Sequence, residues 1–428
     1  MRRAPYLHLS LAVTLLSIAV GCEGAEGDRP TRITVMVAGD PEEIEAYRAV
    51  MDAFDGSQGE VDAELLPFAE RDDLIVRLST SIAGGEPPDL FLMNYRYYGQ
   101  FAARGALEPV EPYLRDSAAF EAADFFDTAM TPFQWDGEQV CLPQNVSSLV
   151  VYYNLDLFER AGLEPPKDGW TWDDMVSAAK ALTRDEDGDG VTDVYGLGVD
   201  PEIIRIAPFI WSNGGEMVDD EASPTRFALD GAAVEAMQLF FDLRSVHGVT
   251  PTDEEAEAED FESRFLNGRL GMLMESRRVV PTLRTITDLD WDVASIPSSD
   301  TPVSVLHSDA YCITAGSDAK DAAWRFMEFA LGPEGQRITA GAGRTVPSLR
   351  SVAETEAFLD PDADPAHAQV FLDQIPRLRA VPVVSTWPEI EDVANGLLEE
   401  AYYGGGRAVE VAAELATQTR DAFARAEG

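Results

Sequence analysis

The sequence predicts an α/β protein built from two lobes. Its 428 residues exceed what one hydrophobic core usually holds. Residues 33–93 alternate apolar strands with amphipathic helices in the order βαβαβ, which indicates a parallel sheet covered by helices. In residues 140–158, two strands flank Pro143 and a polar pair, which favours a crossing from one lobe to the other. A β-turn within one sheet is the alternative for that stretch.

The first lobe is expected to begin with three strands. They are predicted at residues 33–38, 61–68 and 89–93. In parallel sheets of this kind, ligands bind beyond the C-terminal ends of the strands. This rule selects Asp40 and residues 94–96 as candidate ligand contacts, because they follow the first and third strands. For Asp40, N-capping of the next helix is the alternative role.

The composition is strongly acidic. The chain has 77 acidic and 32 basic residues, a formal net charge of -45, and a hydrophobic fraction of 45% that is typical of a folded protein. The acidic residues are spread along the whole chain, so most are expected on a solvated surface. This balance argues against nucleic acid and against an anionic membrane surface as electrostatic partners.

The N-terminus predicts export. A basic start precedes an apolar run, residues 9–20, that is too short for a permanent membrane anchor and is typical of a secretory signal. The small residues before Cys22 resemble the lipobox of bacterial lipoproteins. That resemblance implies cleavage of residues 1–21, lipidation of Cys22, and a flexible tether over residues 22–31. A generic signal peptide with an incidental cysteine is the alternative.

Cys141 and Cys312 remain after the signal. Both lie in short strand-like runs beside the predicted crossings between lobes, and an oxidising compartment favours a disulfide between them. Two buried free thiols are the alternative.

An acidic loop has the spacing of a calcium-binding loop. Its carboxylates alternate with other residues, and a glycine allows the sharp turn. The predicted ligands of a structural calcium ion are Asp185, Asp187, Asp189 and Asp193. The bidentate glutamate that normally closes such a loop is replaced by Gly196, so a solvated acidic turn is the alternative.

Enzyme motifs are missing from the sequence. It contains no G-x-S-x-G elbow and no H-E-x-x-H pair, and paired carboxylates carry little information in so acidic a chain. The run His307-Ser308-Asp309 lies near the second predicted crossing and is interpreted as polar hinge residues. A secreted glycan-acting enzyme and a lipoprotein scaffold that binds protein are the two alternatives to a solute-binding protein.

Several stretches in order, among them PPDLFLMNYRYYGQFAARGALEPV, DEDGDGVTDVYG and FLNGRLGMLMES, resemble the extracellular solute-binding proteins of ABC importers, in the maltose- and oligosaccharide-binding group. The resemblance spans the mature chain. It implies a type II-like periplasmic-binding-protein fold with crossing strands as a hinge and a ligand cleft between lobes. The lobes would comprise residues 32–142 plus 310–350 and residues 143–309 plus 351–428. The implied protein is a monomer that captures a carbohydrate and delivers it to a membrane permease, without cofactor or chemistry.

The resemblance also implies ligand contacts at matching positions. These are Asp40, Asn94, Tyr95, Arg96, Gln144, Asn145, Ser147, Trp211, Asn213, Glu275, Arg277, Arg278, Arg344 and Trp387. Trp387 is the expected stacking platform, since the C–H face of a sugar packs well on an aromatic ring.

Four of these positions depart from the family pattern, and one of them is Ser147, where an acid is common. Arg96 stands where several sugar binders keep an acid, and Arg277 and Arg278 replace an aromatic platform. Together with Arg344 they suit a carboxylate or phosphate group. A uronate or a glycerol-phosphate type of solute is therefore the alternative to a neutral oligosaccharide.

Overall fold

A computed structural model of the protein describes residues 29–299 and 301–426. The predicted signal peptide, Cys22 and most of the tether lie outside these residues. The strands are β1 (Thr31–Ala38), β2 (Val61–Phe68), β3 (Leu90–Asn94), β4 (Gln134–Trp135), β5 (Glu138–Gln139), β6 (Cys141–Pro143), β7 (Ser147–Ser148), β8 (Val150–Asn154), β9 (Tyr195–Gly198), β10 (Leu270–Glu275), β11 (Trp291–Ser295), β12 (Ser304–His307), β13 (Asp309–Ile313) and β14 (Leu378–Arg379).

The α-helices lie on both sheets and in the C-terminal region. They are α1 (Pro41–Ser57), α2 (Arg71–Gly84), α3 (Tyr95–Ala102), α4 (Glu111–Asp116), α5 (Asp127–Met130), α6 (Leu155–Ala161), α7 (Trp172–Leu182), α8 (Ile203–Ser212), α9 (Gly231–Ser245), α10 (Asp253–Ala258), α11 (Phe261–Leu266), α12 (Val280–Leu283), α13 (Lys320–Leu331), α14 (Pro333–Gly341), α15 (Arg350–Ala353), α16 (Glu356–Leu359), α17 (Gln369–Gln374), α18 (Trp387–Gly404), α19 (Ala408–Gln418) and α20 (Arg420–Ala424). In the described part of the chain, no helix has the length and apolar character needed to cross a bilayer.

The first sheet has five strands in the order β2-β1-β3-β13-β6. Strands β1, β2 and β3 are parallel, whereas β13 and β6 complete the sheet as antiparallel strands. The predicted βαβαβ unit is confirmed, with the third strand shifted by one residue. Because β1 and β3 are parallel, their C-terminal ends place Asp40 and Asn94 at the same edge of the sheet.

Helix α1 shows how the sequence builds this lobe. The Asp40 carboxylate accepts a hydrogen bond from the Glu43 amide at 3.0 Å and so caps the helix. Its buried residues recur at helical spacing, and Phe54 packs edge-on against Phe326 of α13 with ring centroids 5.4 Å apart. The helix is thereby fixed with its first turn at the sheet edge that faces the second lobe.

The second sheet has four strands in the order β11-β8-β10-β9. Strand β8 lies antiparallel to β10 and β11, and β9 lies parallel to β10. All residues of β8 and β10 are buried, because helices cover both faces. Tyr152 on β8 donates a hydrogen bond to the Ser276 carbonyl at 2.8 Å, which ties the end of β10 to the sheet.

Short strands join the two sheets. Strand β7 lies between β6 of the first sheet and β8 of the second, and β12 lies between β11 and β13. The two crossings pair with each other as antiparallel strands, Ser147 opposite His307 and Ser148 opposite Leu306. A third segment is attached to them where the Val146 amide donates to the Val346 carbonyl at 2.9 Å. The predicted crossing in residues 140–158 is confirmed, and the β-turn alternative is wrong.

The two remaining cysteines form a disulfide. Cys141 on β6 and Cys312 on β13 are direct partners in the antiparallel register, with Cα atoms 4.4 Å apart. The bond crosslinks the strands through which the chain leaves and re-enters the first sheet, 171 residues apart in sequence. The alternative of two free thiols is therefore wrong.

The segment that follows residue 350 packs on both sides of the molecule. Val352 is buried in the same core cluster as Ile33 and Val35 of the first sheet. Phe358, a few residues later, instead contacts Arg277 next to the second sheet. The segment that begins the predicted second part of lobe two therefore contacts both lobes.

Candidate ligand-binding cleft

A cavity of about 550 Å³ lies between the two lobes. Its wall combines the C-terminal ends of β1 and β3, the end of β10, the crossing strands and helix α18. Eight predicted contacts line it: Asp40, Asn94, Arg96, Asn145, Ser147, Glu275, Arg278 and Arg344. A space of this size, enclosed by two lobes, is suited to a small polar molecule.

Arg344 is paired with carboxylates of the first lobe. Its guanidinium contacts Asp40 and lies 2.9 Å from a carboxylate oxygen of Glu43. It also donates to the carbonyl oxygen of Arg278 at 3.2 Å, which is a contact to the second lobe. Burial raises the pKa of Glu43, and Arg344 opposes that rise. Asp40 therefore caps its helix, pairs with Arg344 and lines the cavity at the same time.

Arg96 is paired with Glu391 in a buried site. Its guanidinium contacts the Glu391 carboxylate, and both side chains are less than a tenth exposed, at 9% and 5%. Glu391 also accepts hydrogen bonds from the Tyr97 hydroxyl at 3.1 Å and the Trp387 indole N–H at 2.8 Å. The arginine lies on α3 and the glutamate on α18, so this network fixes α18 against the first lobe.

Glu275 at the end of β10 receives two arginines. Arg205 donates to its carboxylate at 2.6 Å and Arg278 at 3.1 Å. Burial opposes ionisation of Glu275, but the two guanidinium groups outweigh it and hold the pKa of this carboxyl below its usual value. Arg278 is also bonded to Glu262 at 2.9 Å. These arginines are therefore compensated inside the protein.

His307 lies on the crossing strand β12 and lines the cavity. Burial, together with the nearby guanidinium groups of Arg96 and Arg205, lowers its pKa to about 3, so the imidazole is neutral at physiological pH. Its Nε2 atom is buried without a hydrogen-bond partner in the described structure. The cleft wall thus contains an uncharged polar side chain at this crossing strand.

The cavity wall carries more acidic than basic groups. Among the described lining residues, the acidic side chains are Asp40, Glu43, Glu70, Glu202, Glu275, Asp309, Glu391 and Asp392. The basic side chains are Arg71, Arg96, Arg205, Arg278 and Arg344. If all are ionised, eight carboxylates face five guanidinium groups, which leaves three negative charges. An anionic ligand would be repelled by such a wall.

The predicted aromatic platform is not available in this structure. The Trp387 ring is fully buried, because its indole N–H binds Glu391 and its face packs near Phe227. Among the described lining residues, Tyr97 is the one with a phenyl or indole ring. The guanidinium of Arg71 covers that ring at 4.2 Å from its centroid. Stacking by Trp387 is therefore excluded in this conformation.

Two other predicted contacts near the crossings have structural partners instead. Tyr95 is fully buried, and its hydroxyl accepts a hydrogen bond from the Val381 amide at 3.1 Å. Gln144 is buried, its backbone carbonyl accepts a hydrogen bond from the Gln336 side chain at 2.7 Å, and its side-chain oxygen accepts one from Asn145 at 3.0 Å. Neither residue lines the cavity.

The remaining three lie away from the cavity wall in the second lobe. Trp211 is buried beneath Arg379, whose guanidinium lies 4.7 Å from the ring centroid. Asn213 donates to a backbone carbonyl at 2.9 Å. Arg277 is fully buried between Phe358 and Phe371, with guanidinium distances of 4.3 and 4.9 Å, and burial lowers its pKa to about 10. These side chains pack the lobe and do not reach the cavity.

Sequence reasoning missed Arg205, Glu391 and His307. Arg205 had a detectable signal, because it is a single charge within the apolar helix IIRIAPFIWS, and a buried charge needs a partner. Glu391 lies on an amphipathic helix among other acids and carries no such signal. The sequence predicts His307 as a polar hinge residue. Its position in the cavity wall depends on the pairing of the two crossings, which local sequence does not show.

The acidic loop brings three of its four predicted ligands together. One carboxylate oxygen each of Asp185, Asp187 and Asp193 lies within 4.8 Å of the others. Asp189 is not part of this group, and its carboxylate accepts a hydrogen bond from the Val191 amide at 2.7 Å. Backbone amides of the loop donate to Asp185 and lower its pKa, so this carboxylate stays ionised.

The fold and the site define a class, that of two-lobed proteins with a polar ligand cleft at a hinge of crossing strands. Residues 49–369 match the family model described as a bacterial extracellular solute-binding protein. The match covers well over half of the chain, and the protein therefore belongs to this family. The suspected resemblance is confirmed, and the family's extracellular character agrees with the predicted export.

Relatives support the same assignment over most of the chain. A Brucella abortus protein named as a binding protein is 26% identical over 351 residues, 80% of each chain. The mannitol-binding protein of Pseudomonas aeruginosa is 24% identical over 414 residues, 90% of this chain and 89% of its own. The ABC substrate-binding protein of Listeria monocytogenes in complex with cycloalternan has a TM-score of 0.84 at 23% identity, covering 92% of this chain and 99% of that one.

The buried ion pair between Arg96 and Glu391 generates a prediction about stability. We expect Glu391→Gln to lower the free energy of unfolding by about 3 to 5 kcal/mol, because Arg96 would keep a buried charge without its counter-ion. Glu389→Gln on the same helix is the matched control, because Glu389 pairs with Arg425 where both side chains are more than half exposed. The control should cost less than about 1 kcal/mol. Urea denaturation measures the free energy of unfolding of both variants. Equal losses would contradict the interpretation of Arg96 and Glu391 as a buried ion pair that stabilises the fold.

Proposed function

We propose that the protein is the substrate-binding subunit of an ABC importer that captures an uncharged carbohydrate or sugar alcohol by closing its lobes. The observation that carries this proposal is the compensation of charge in the cleft. Arg96, Arg205 and Arg344 each contact a carboxylate, and the wall retains an excess of acidic groups. A ligand rich in hydroxyl groups can bind such a wall as both donor and acceptor without bringing a charge.

The ligands named for two relatives agree with this class. Mannitol is an uncharged polyol and cycloalternan an uncharged saccharide, and each is named as the ligand of a relative that covers most of this chain. The hydroxyl and amide groups of Asn94, Asn145 and Ser147 supply further polar contacts in the same wall. No chemistry on the ligand is proposed, and the ligand leaves the cleft unchanged.

An acidic or phosphorylated solute is the second candidate, and one observation favours it. Arg71 lines the cavity with a side chain that is 47% exposed, and it lies 3.8 Å from the carboxylate of the exposed neighbour Asp72. This arginine could receive an anionic group. The attraction of one exposed guanidinium for an anionic ligand is weak compared with the repulsion from the excess carboxylates of the wall. We therefore favour the uncharged ligand.

We further propose delivery of the ligand to a membrane permease by a lipid-anchored monomer. The basis is the lipobox-like sequence before Cys22 and the family to which the chain belongs. A single lipidated cysteine and a polar tether would keep a water-soluble body near the membrane surface.

We also propose a structural calcium ion at the acidic loop. Asp185, Asp187 and Asp193 offer three carboxylate oxygens within 4.8 Å of one another, and oxygen ligands are those that calcium prefers. The ion would stiffen the connection between α7 and β9 and take no part in ligand capture.

Ligand class can be tested with matched pairs of solutes. In a thermal-shift series we expect neutral sugars or sugar alcohols to raise the melting temperature, and a ligand at a hundred times its Kd stabilises the fold by about 2.7 kcal/mol. The paired acids, such as glucuronate beside glucose or mannitol 1-phosphate beside mannitol, should give no shift. A shift with the acid and none with the neutral partner would establish the second candidate, and Arg71→Gln should then abolish it.

Calcium binding can be tested through stability after chelation. We expect calcium added to EDTA-treated protein to raise the melting temperature, since an ion that binds the folded state stabilises it. Asp187→Asn should remove this increase, whereas Asp189→Asn should keep it, because Asp189 lies outside the group of three. The loop is a solvated turn if calcium leaves the melting temperature unchanged at millimolar concentration.

Lipid anchoring can be tested by detergent partition of the full chain produced in a bacterium. We expect the protein to enter the detergent phase and Cys22→Ser to move to the aqueous phase, because a lipid chain buries its CH₂ groups in detergent. The double variant Cys141→Ser/Cys312→Ser is the control and should keep the anchor. Retention of Cys22→Ser in the detergent phase would mean that another segment anchors the chain.

A further inference from the structure

Three uncharged side chains in the cleft wall have polar atoms without a partner. The hydroxyl oxygens of Ser147 and Thr345 and the Nε2 atom of His307 are buried and make no hydrogen bond in the described structure. All three residues line the cavity between the lobes. They contrast with the charged groups of the same wall, most of which are paired with one another.

The backbone brings these three residues together. Ser147 and His307 are direct partners in the antiparallel pair of β7 and β12. Thr345 lies on the neighbouring segment, which is held to the first crossing by the hydrogen bond between Val146 and Val346 at 2.9 Å. The group therefore consists of one residue from each of the three segments that pass between the lobes.

Their burial has an energetic consequence. A buried donor or acceptor that lacks a partner has given up its hydrogen bonds to water without replacing them, which is unfavourable. Three such groups lie on residues of the cavity wall, and two of these residues are opposite each other in the strand pair. A ligand whose hydroxyl groups reach them when the lobes close would remove that cost, which gives the closed, ligand-bound state its advantage.

The imidazole has the right character for this role. His307 is uncharged, because it is buried and surrounded by the guanidinium groups of Arg96, Arg205 and Arg278, with Glu275 as the opposing charge. A neutral imidazole offers one donor and one acceptor, as a hydroxyl group does. A ligand carboxylate or phosphate placed here would meet no unpaired cation.

We propose that Ser147, His307 and Thr345 form the subsite that receives adjacent hydroxyl groups of the ligand and selects uncharged solutes. This proposal rests on the proposed function and identifies the residues that would recognise the ligand. His307 and Thr345 join Ser147 as specificity-determining residues, and the paired arginines position the wall around them without contacting a ligand charge.

The test compares single variants by isothermal titration with the neutral ligand that gives the largest thermal shift. Ser147→Ala and Thr345→Val should each weaken binding by about two- to tenfold, the worth of one net hydrogen bond. His307→Gln keeps an amide near the position of Nε2 and should stay within about threefold of the wild type. His307→Asn cannot reach that position and should weaken binding by about tenfold or more.

Ser148→Ala is the matched control. Ser148 is the next residue on β7, and its hydroxyl is also buried without a partner, but it does not line the cavity. Successive residues of a strand point to opposite faces, so removal of this hydroxyl should leave affinity unchanged. Melting temperatures of the unliganded variants separate loss of contact from loss of fold, and if one variant does not fold, the other two positions decide the outcome.

The outcomes separate the two proposals. A neutral solute that binds wild type, Ser147→Ala, Thr345→Val and His307→Asn with equal affinity would overturn the subsite and leave the proposed function intact. Binding of acidic solutes alone by the wild type would overturn both. Selective loss in the three cavity variants, with Ser148→Ala and His307→Gln retained, would establish the subsite.

Discussion

The structure depends on the pairing of charges that are buried between its lobes. Arg96 with Glu391 and Arg205 with Glu275 are taken out of water, where an unpaired ion would cost several kcal/mol. Each pair joins two separate elements, α3 with α18 and α8 with β10. The elements around the cleft therefore have to meet in one arrangement, since any other would leave a charge buried alone. The ion pairs that neutralise the charged side chains of the cleft wall therefore also fix the positions of the elements that carry them.

The hinge of crossing strands connects the two lobes that carry these ion pairs. Three segments pass between the lobes, and they are held together by short strand pairs and by buried apolar residues such as Val146, Leu306 and Val346. The Cys141–Cys312 disulfide stiffens the end of the hinge that belongs to the first sheet. The crossing segments carry Ser147 and His307, which line the cavity. In the binding mode proposed above, lobe closure and ligand contact would involve the same residues.

Sequence patterns predicted the parts of this protein that depend on local order. Strand ends gave Asp40 and Asn94, because a parallel sheet collects them at one edge, and the Pro-broken stretch in residues 140–158 gave the crossing. The partners of the arginines could not be predicted in this way, since Arg96 and Glu391 are 295 residues apart and no local pattern links them. The burial of Trp387 could not be predicted either, because its ring packs near Phe227, which is remote in sequence.

The pairing of the cleft arginines with carboxylates of the protein also affects how ligand binding responds to the salt content of the medium. A surface with a net charge of -45 is strongly affected by dissolved salt, because counter-ions screen its repulsion. An uncharged ligand held by Ser147, His307 and Thr345 contributes no ionic attraction that salt could weaken. Capture of the uncharged ligand proposed above would therefore depend little on ionic strength, although the repulsion between surface charges depends on it strongly.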